Sequence, residues 1–157
     1  MNHDSNREKS VARNVLSCLA IAFVTVTLAM LFLCGGLYLA YRTVFSFENY
    51  RAQMCIRKDL AVEDPHFVYS PGYDYIMWSK FDVRVDNIDK VFDAARIDVS
   101  KLREGYKMRS LTDKWWDAGD HELSGASFEV SDDETMDVGY FDNGDGTLTV
   151  YIYLVEV

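Results

Sequence analysis

The sequence predicts an α+β protein in which one N-terminal transmembrane helix precedes a small domain, an antiparallel sheet with one or two packing helices. Three observations carry that expectation. Residues 15–41 contain no charged side chain, and a helix needs only about 20 apolar residues to cross a bilayer. In residues 73–85, Tyr73, Tyr75, Met77, Phe81, Val83 and Val85 alternate with Asp74, Lys80, Asp82 and Arg84, the period of a strand with one buried face. Finally, residues 135–142 and 147–157 flank Asn143-Gly144-Asp145-Gly146, a turn sequence that takes positive φ cheaply, so they read as a hairpin.

In chain order, residues 1–14 form a short tail containing Arg7, Lys9 and Arg13. Residues 15–41 form the transmembrane helix, where Ser17, Thr25 and Thr27 can return hydroxyl bonds to the preceding turn, and Tyr38 and Tyr41 sit at the interface. The apolar run exceeds the 7–15 residues usual in a cleaved signal peptide. Cys34-Gly35-Gly36 is the one plausible processing point, with bulky Leu33 where a lipid-modification site favours a small residue. The basic tail and a translocatable domain predict a cytoplasmic N-terminus and an extracytoplasmic C-terminal domain. Within the helix, Cys18, Ala22, Thr25, Ala29, Gly36 and Ala40 form a small-residue stripe at near-heptad spacing, a face for helix association with a second copy or another protein.

Residues 42–64 read as a juxtamembrane amphipathic helix or linker: Phe45, Phe47, Tyr50, Met54 and Leu60 recur at rough helical spacing, with Ser46 as cap. Pro65 and Pro71 mark the entrance to an acidic domain over 65–157. After the first strand, Asp86 or Asn87 can cap a helix with Ile88, Val91, Phe92 and Ala95 on one face, and Ser110 with Asp113 resembles a capping box for a second, short helix. Ile76 and Trp78 interrupt the polar face of the strand, which predicts that another element covers part of it. Residues 126–130 form a shorter strand, and both faces of residues 148–155 are apolar or aromatic, which places that strand inside the sheet.

Charge and cysteine content narrow the function classes. Net charge is −9 overall, but from Glu48 onward there are 23 acidic and 12 basic residues, a balance that excludes nucleic acid as a bulk partner. Cys18 and Cys34 fall in the helix and leave Cys55 alone in the soluble part, so a packed core rather than an internal disulfide must hold the domain.

The apparent chemical motifs are weak. Aligning Gly146 with the calcium-loop glycine puts Phe141 and Ile152 where carboxylates belong. Asp117, Asp120, His121 and Glu122 supply ligand types for a divalent cation, but in no zinc-like spacing. Trp115 and Trp116 could line a ligand face, or, about 100° apart on a helix, one could plug the core while the other covers a sheet edge. Ser127 lacks the second glycine of a nucleophile elbow. Sequence reasoning therefore assigns no catalytic residue and no cofactor. It expects a non-catalytic, membrane-anchored interaction module or, alternatively, an accessory subunit held by its transmembrane helix, with a metal-dependent enzyme a distant third.

Overall fold

The structure, a computed structural model, describes the backbone of residues 3–156 other than Tyr73, and the side chains of Leu19 and of residues 21–156 other than Tyr73. The expected strand ends Tyr73 and Val157, and the side chains of Ser17 and Cys18, lie outside the described residues. The chain divides into two compact units, Met1–Val44 and Phe45–Val157.

The first unit is one helix, α1 (His3–Val44). Its apolar side chains are exposed, Phe23 to 74% and Phe32 to 81%. Thr25 and Thr27 donate their hydroxyls to the Ile21 and Phe23 carbonyls at 2.8 and 2.9 Å, so neither polar group is left without a partner. The helix is long and apolar enough to cross a membrane.

The second unit is a six-stranded antiparallel sheet: β1 (Val62–Ser70), β2 (Ile76–Val83), β3 (Arg103–Tyr106), β4 (Leu123–Ser131), β5 (Glu134–Asp142) and β6 (Leu148–Glu156), in the order β1-β2-β6-β5-β4-β3. With the single long helix, this is the α+β class expected. β4, β5 and β6 form a meander, and the β5–β6 turn places Gly144 and Gly146 at φ 77° and 85°. β6 pairs with β2 and β5 and is buried on both faces from Leu148 to Leu154, as its two-sided apolar pattern predicts.

Each sheet face carries its own core. On the front, Met77, Phe81, Met136, Val138, Val150 and Ile152 are closed off by residues 45–60 and 85–102, which contribute Phe47, Met54, Ile56, Val91, Phe92 and Ile97. On the back, residues 107–121 form a strap that sets Trp116 and Ala118 against Leu123 and Tyr151, with Trp78 and Phe141 alongside. Trp78 is thus covered as its position in the polar register suggested. Gly125 and Gly139 pair across β4 and β5, and the trough they leave receives the Tyr106 ring and the Met108 side chain.

Helices are the main difference from expectation. The amphipathic helix over 46–60 is one turn, α2 (Phe47–Tyr50). The reason is geometric: Met54, Cys55 and Ile56 are all buried in succession, which one helix face cannot achieve. Cys55 takes φ 58°, and the buried Arg51 guanidinium donates to the carbonyls of Arg57 and Leu60 at 2.8 and 2.7 Å, folding the chain back. The helix expected after Asn87 is a single 3-10 turn, Ile88–Lys90, because Phe92 bridges to Ile56 and Asp93 donates its N–H to the Cys55 carbonyl. The helix expected at Ser110 does not form, and the strap instead contains a 3-10 turn at Ala118–Asp120.

Candidate functional site

The most elaborate polar arrangement lies on the back of the sheet, where the strap crosses β2 and β6. Strand alternation points Lys80 and Tyr151 to the same side in paired register, and the strap lays Asp117 over them. Lys80 Nζ donates to Asp117 Oδ1 and Oδ2 at 2.8 and 2.9 Å, and the Tyr151 hydroxyl donates to Oδ1 at 2.6 Å. Burial alone would raise the Asp117 pKa, but these two donors outweigh it and hold the carboxyl below the usual aspartate range. Burial, reinforced by the neighbouring carboxylate, drives the Tyr151 hydroxyl strongly upward, so it stays a proton donor in the bond. A carboxylate shared between an ammonium and a phenol is a closed arrangement whose principal donors and acceptors satisfy one another.

The four candidate metal ligands do not converge. Asp117 is engaged by Lys80 and Tyr151, and His121 Nε2 lies 3.7 Å from it while its ring stacks on Phe141 at 4.1 Å. Asp120 is exposed, and Glu122 lines a different cleft of about 380 Å³ with Asp86, Ser124 and Asp142. Among the described residues no three His, Cys, Asp or Glu side chains are placed to hold a metal ion. The hairpin acids are used locally, Asp142 accepting from the Gly144 N–H at 2.7 Å and Asp145 from the Thr147 N–H at 3.0 Å.

The paired tryptophans divide between core and edge. Trp116 is 6% exposed, donates Nε1–H to the Arg109 carbonyl at 2.9 Å and meets Tyr151 edge-on at 5.3 Å. Trp115 is half-buried and stacks on His66 of edge strand β1, centroids 5.5 Å apart. Of the helix stripe, Ala22, Thr25, Ala29, Gly36 and Ala40 are exposed on α1.

A second recess, about 570 Å³, opens in the front layer beside Cys55, Arg57, Lys58, Asp59, Asp93 and Arg96. Its charges are mixed and partly engaged: Arg57 forks onto Asp59 at 3.1 and 2.6 Å, and Arg96 donates to the Ala52 carbonyl. Burial pushes the Cys55 thiol up to about 11, offset only in part by Arg96, so it is protonated at neutral pH and a poor nucleophile.

Sequence reasoning missed Lys80 and Tyr151 as partners of Asp117. The available signal was a lysine and a tyrosine on the same parity of two strands, which becomes informative only once the β2–β6 pairing is known. The chain matches no protein-family model, no curated protein and no solved structure.

Proposed function

We propose that the protein is a single-pass membrane protein whose acidic sheet domain serves as an extracytoplasmic interaction module, binding a protein or a small ligand rather than catalysing a reaction. The observation that carries the reading is the exposure of α1: from Leu19 to Leu39 its large apolar side chains are more than half exposed. A surface of that size is stable in lipid and not in water. The module reading draws support from the back of the sheet, where Lys80, Asp117 and Tyr151 are spent on one another instead of being aimed at a substrate. A second reading, an accessory subunit held through its helix, is favoured by the exposed Ala22, Ala29, Gly36 and Ala40, small residues that let another helix approach closely.

The test uses the full chain in membranes. It is expected to float with phospholipid vesicles and to resist alkaline extraction, and a reporter active only outside the cytoplasm is expected to be active when fused after Val157. Activity of a cytoplasm-only reporter at that position would reverse the orientation. Recovery of a partner from mild detergent separates the two readings: capture by residues 45–157 alone supports the module, and capture that requires α1 supports the subunit.

A further inference from the structure

The recess in the front layer is walled by two segments, residues 52–59 and 89–96, and the backbone ties them together. Ile56 bridges Phe92, Arg57 donates its N–H to the Val91 carbonyl at 3.0 Å, and Asp93 donates its own to the Cys55 carbonyl at 2.9 Å. Arg96 joins the two segments again through the Ala52 carbonyl at 2.7 Å. The walls are thus set by the fold, and a guest would not have to order them. The volume, about 570 Å³, falls within the roughly 300–1,000 Å³ of small-molecule sites.

The lining selects the guest in two ways. Ile56 and Phe92 are 3% and 1% exposed and present apolar surface to the recess, and Ala52 and Ala94 add no polar side chain, so part of the guest is apolar. Three basic and three acidic side chains complete the lining. Arg57 and Asp59 neutralise one another. Among the described residues, Lys58 Nζ and the Asp89 carboxylate have no hydrogen-bond or ion-pair partner, Asp93 commits one oxygen to the Ala95 N–H at 3.0 Å, and Arg96 commits one nitrogen. What remains is Lys58 on the first segment, two carboxylates on the second and the rest of the Arg96 guanidinium. A purely anionic guest would meet Asp89 and Asp93, and the excess of acidic residues from Glu48 onward would repel it at longer range. A purely cationic guest would meet Lys58 and Arg96. A guest with both signs pairs with both sets and leaves no like charges facing one another.

Building on the interaction-module reading, we propose that this recess binds a small zwitterion with an apolar side chain, the chemistry shared by a free apolar amino acid and a dipeptide. Its carboxylate pairs with Lys58 and the free part of Arg96, its ammonium with Asp89 and Asp93, and its side chain rests on Ile56 and Phe92.

The experiment titrates the full chain in detergent micelles with L-leucine and with L-leucyl-L-leucine, followed by ligand-detected NMR against empty micelles, and the tighter of the two identifies the source. Saturable binding of at least one is expected. Acetylating its amine, or converting its carboxylate to the amide, is expected to weaken binding about fivefold or more, the order of one partly exposed ion pair. Lys58→Gln is expected to weaken the acetylated form and leave the amide unchanged, and Asp89→Asn combined with Asp93→Asn the reverse, a charge-matched pattern that a general loss of structure would not produce. No saturable binding up to about 10 mM, blocked forms that bind as well as the parent, or substitutions that do not discriminate between the blocked forms overturn the proposal. A chain that captures a partner protein through residues 45–157 but takes no zwitterion removes this site alone, whereas one that binds neither removes the module reading with it.

Discussion

The Tyr151 hydroxyl, on a side chain with no exposed surface, donates to Asp117 across 2.6 Å and thereby fastens the strap to the central strand of the sheet. Lys80 reaches the same carboxylate from β2, so three elements meet at one charged group. A hydrogen bond to a charged partner contributes about 1.5–3 kcal/mol, so Tyr151→Phe and Asp117→Asn are each expected to lower unfolding stability by that order in urea titrations at pH 7.

The same network sets an acid limit. The carboxyl of Asp117 is held below its ordinary value of 3.8. Its contribution is therefore complete above that value and is lost as pH falls through the lower folded one. Between pH 5 and pH 2 the native protein is expected to lose stability more steeply than Asp117→Asn, which has no proton to take up. Parallel slopes would show that the carboxylate is not a source of the acid sensitivity.

Cys55 tests the front layer. Its thiol is 2% exposed and raised from 9.0 to about 11, chiefly by burial. A charged, membrane-impermeant thiol reagent is expected to leave Cys55 unmodified at pH 7.5 in the folded protein and to label it fully in denaturant, as read by peptide mass. Because the folded pKa is the higher one, stability owed to the neutral thiol is intact below pH 9 and is lost as pH rises toward 11. Rapid labelling under native conditions would mean that residues 51–60 open readily.

The fold class, the meander and the buried character of β6 were legible because periodicity over many residues reports burial directly. The two edge strands were not. β1 contains Pro65, which in the sequence reads as the domain entrance after a helix or linker over 42–64, yet on an edge strand a proline is tolerated, and the register shifts between Glu63 and His66 around it. β3 is a four-residue strand, Arg103–Tyr106, too short to show an alternation, and its shift between Glu104 and Tyr106 accommodates Gly105 at φ 73°. The covering segments misled for a different reason. Ile88, Val91 and Phe92 have helical spacing, but burial demanded by a sheet face can be met by a 3-10 turn and a bridge when the partner, here Ile56, pulls the backbone away. The site was the least legible part, since the meeting of Lys80, Asp117 and Tyr151 depends on which strands pair.

The glycine trough offers a contrast between two similar substitutions. A Cβ on Gly125 would lie 2.4 Å from the Val138 carbonyl oxygen and 2.5 Å from the Tyr106 ring, and the carbonyl belongs to the adjacent strand and cannot retreat. Gly125→Ala is expected to cost about 1–3 kcal/mol by overpacking. Gly119, in the strap, has open space where its Cβ would stand, and Gly119→Ala is expected to stay within about 0.5 kcal/mol of the native protein. Equal melting temperatures for the two variants would contradict the close approach of β3 and the strap to the sheet.

The last prediction concerns where the folding unit starts. Phe47, Met54 and Ile56 lie before the prolines that mark the domain entrance in the sequence, yet they are buried in the same cluster as Phe81 and Val150. β1 likewise begins at Val62, paired with Val83. A fragment of residues 66–157 lacks these side chains and exposes the front of the sheet. Removing large core side chains costs about 2–5 kcal/mol each, and three such losses approach or exceed the 5–15 kcal/mol that holds a typical domain together. Residues 45–157 are therefore expected to unfold in one sharp thermal transition that needs no reducing agent, while residues 66–157 give a broad, non-cooperative one. Within the longer fragment, Phe47→Ala is expected to cost about 3–5 kcal/mol, because its ring packs against Phe81 at 5.3 Å and leaves a cavity when removed. If residues 66–157 melt as sharply and at the same temperature as residues 45–157, the front layer is a passive covering and the unit begins at the prolines after all.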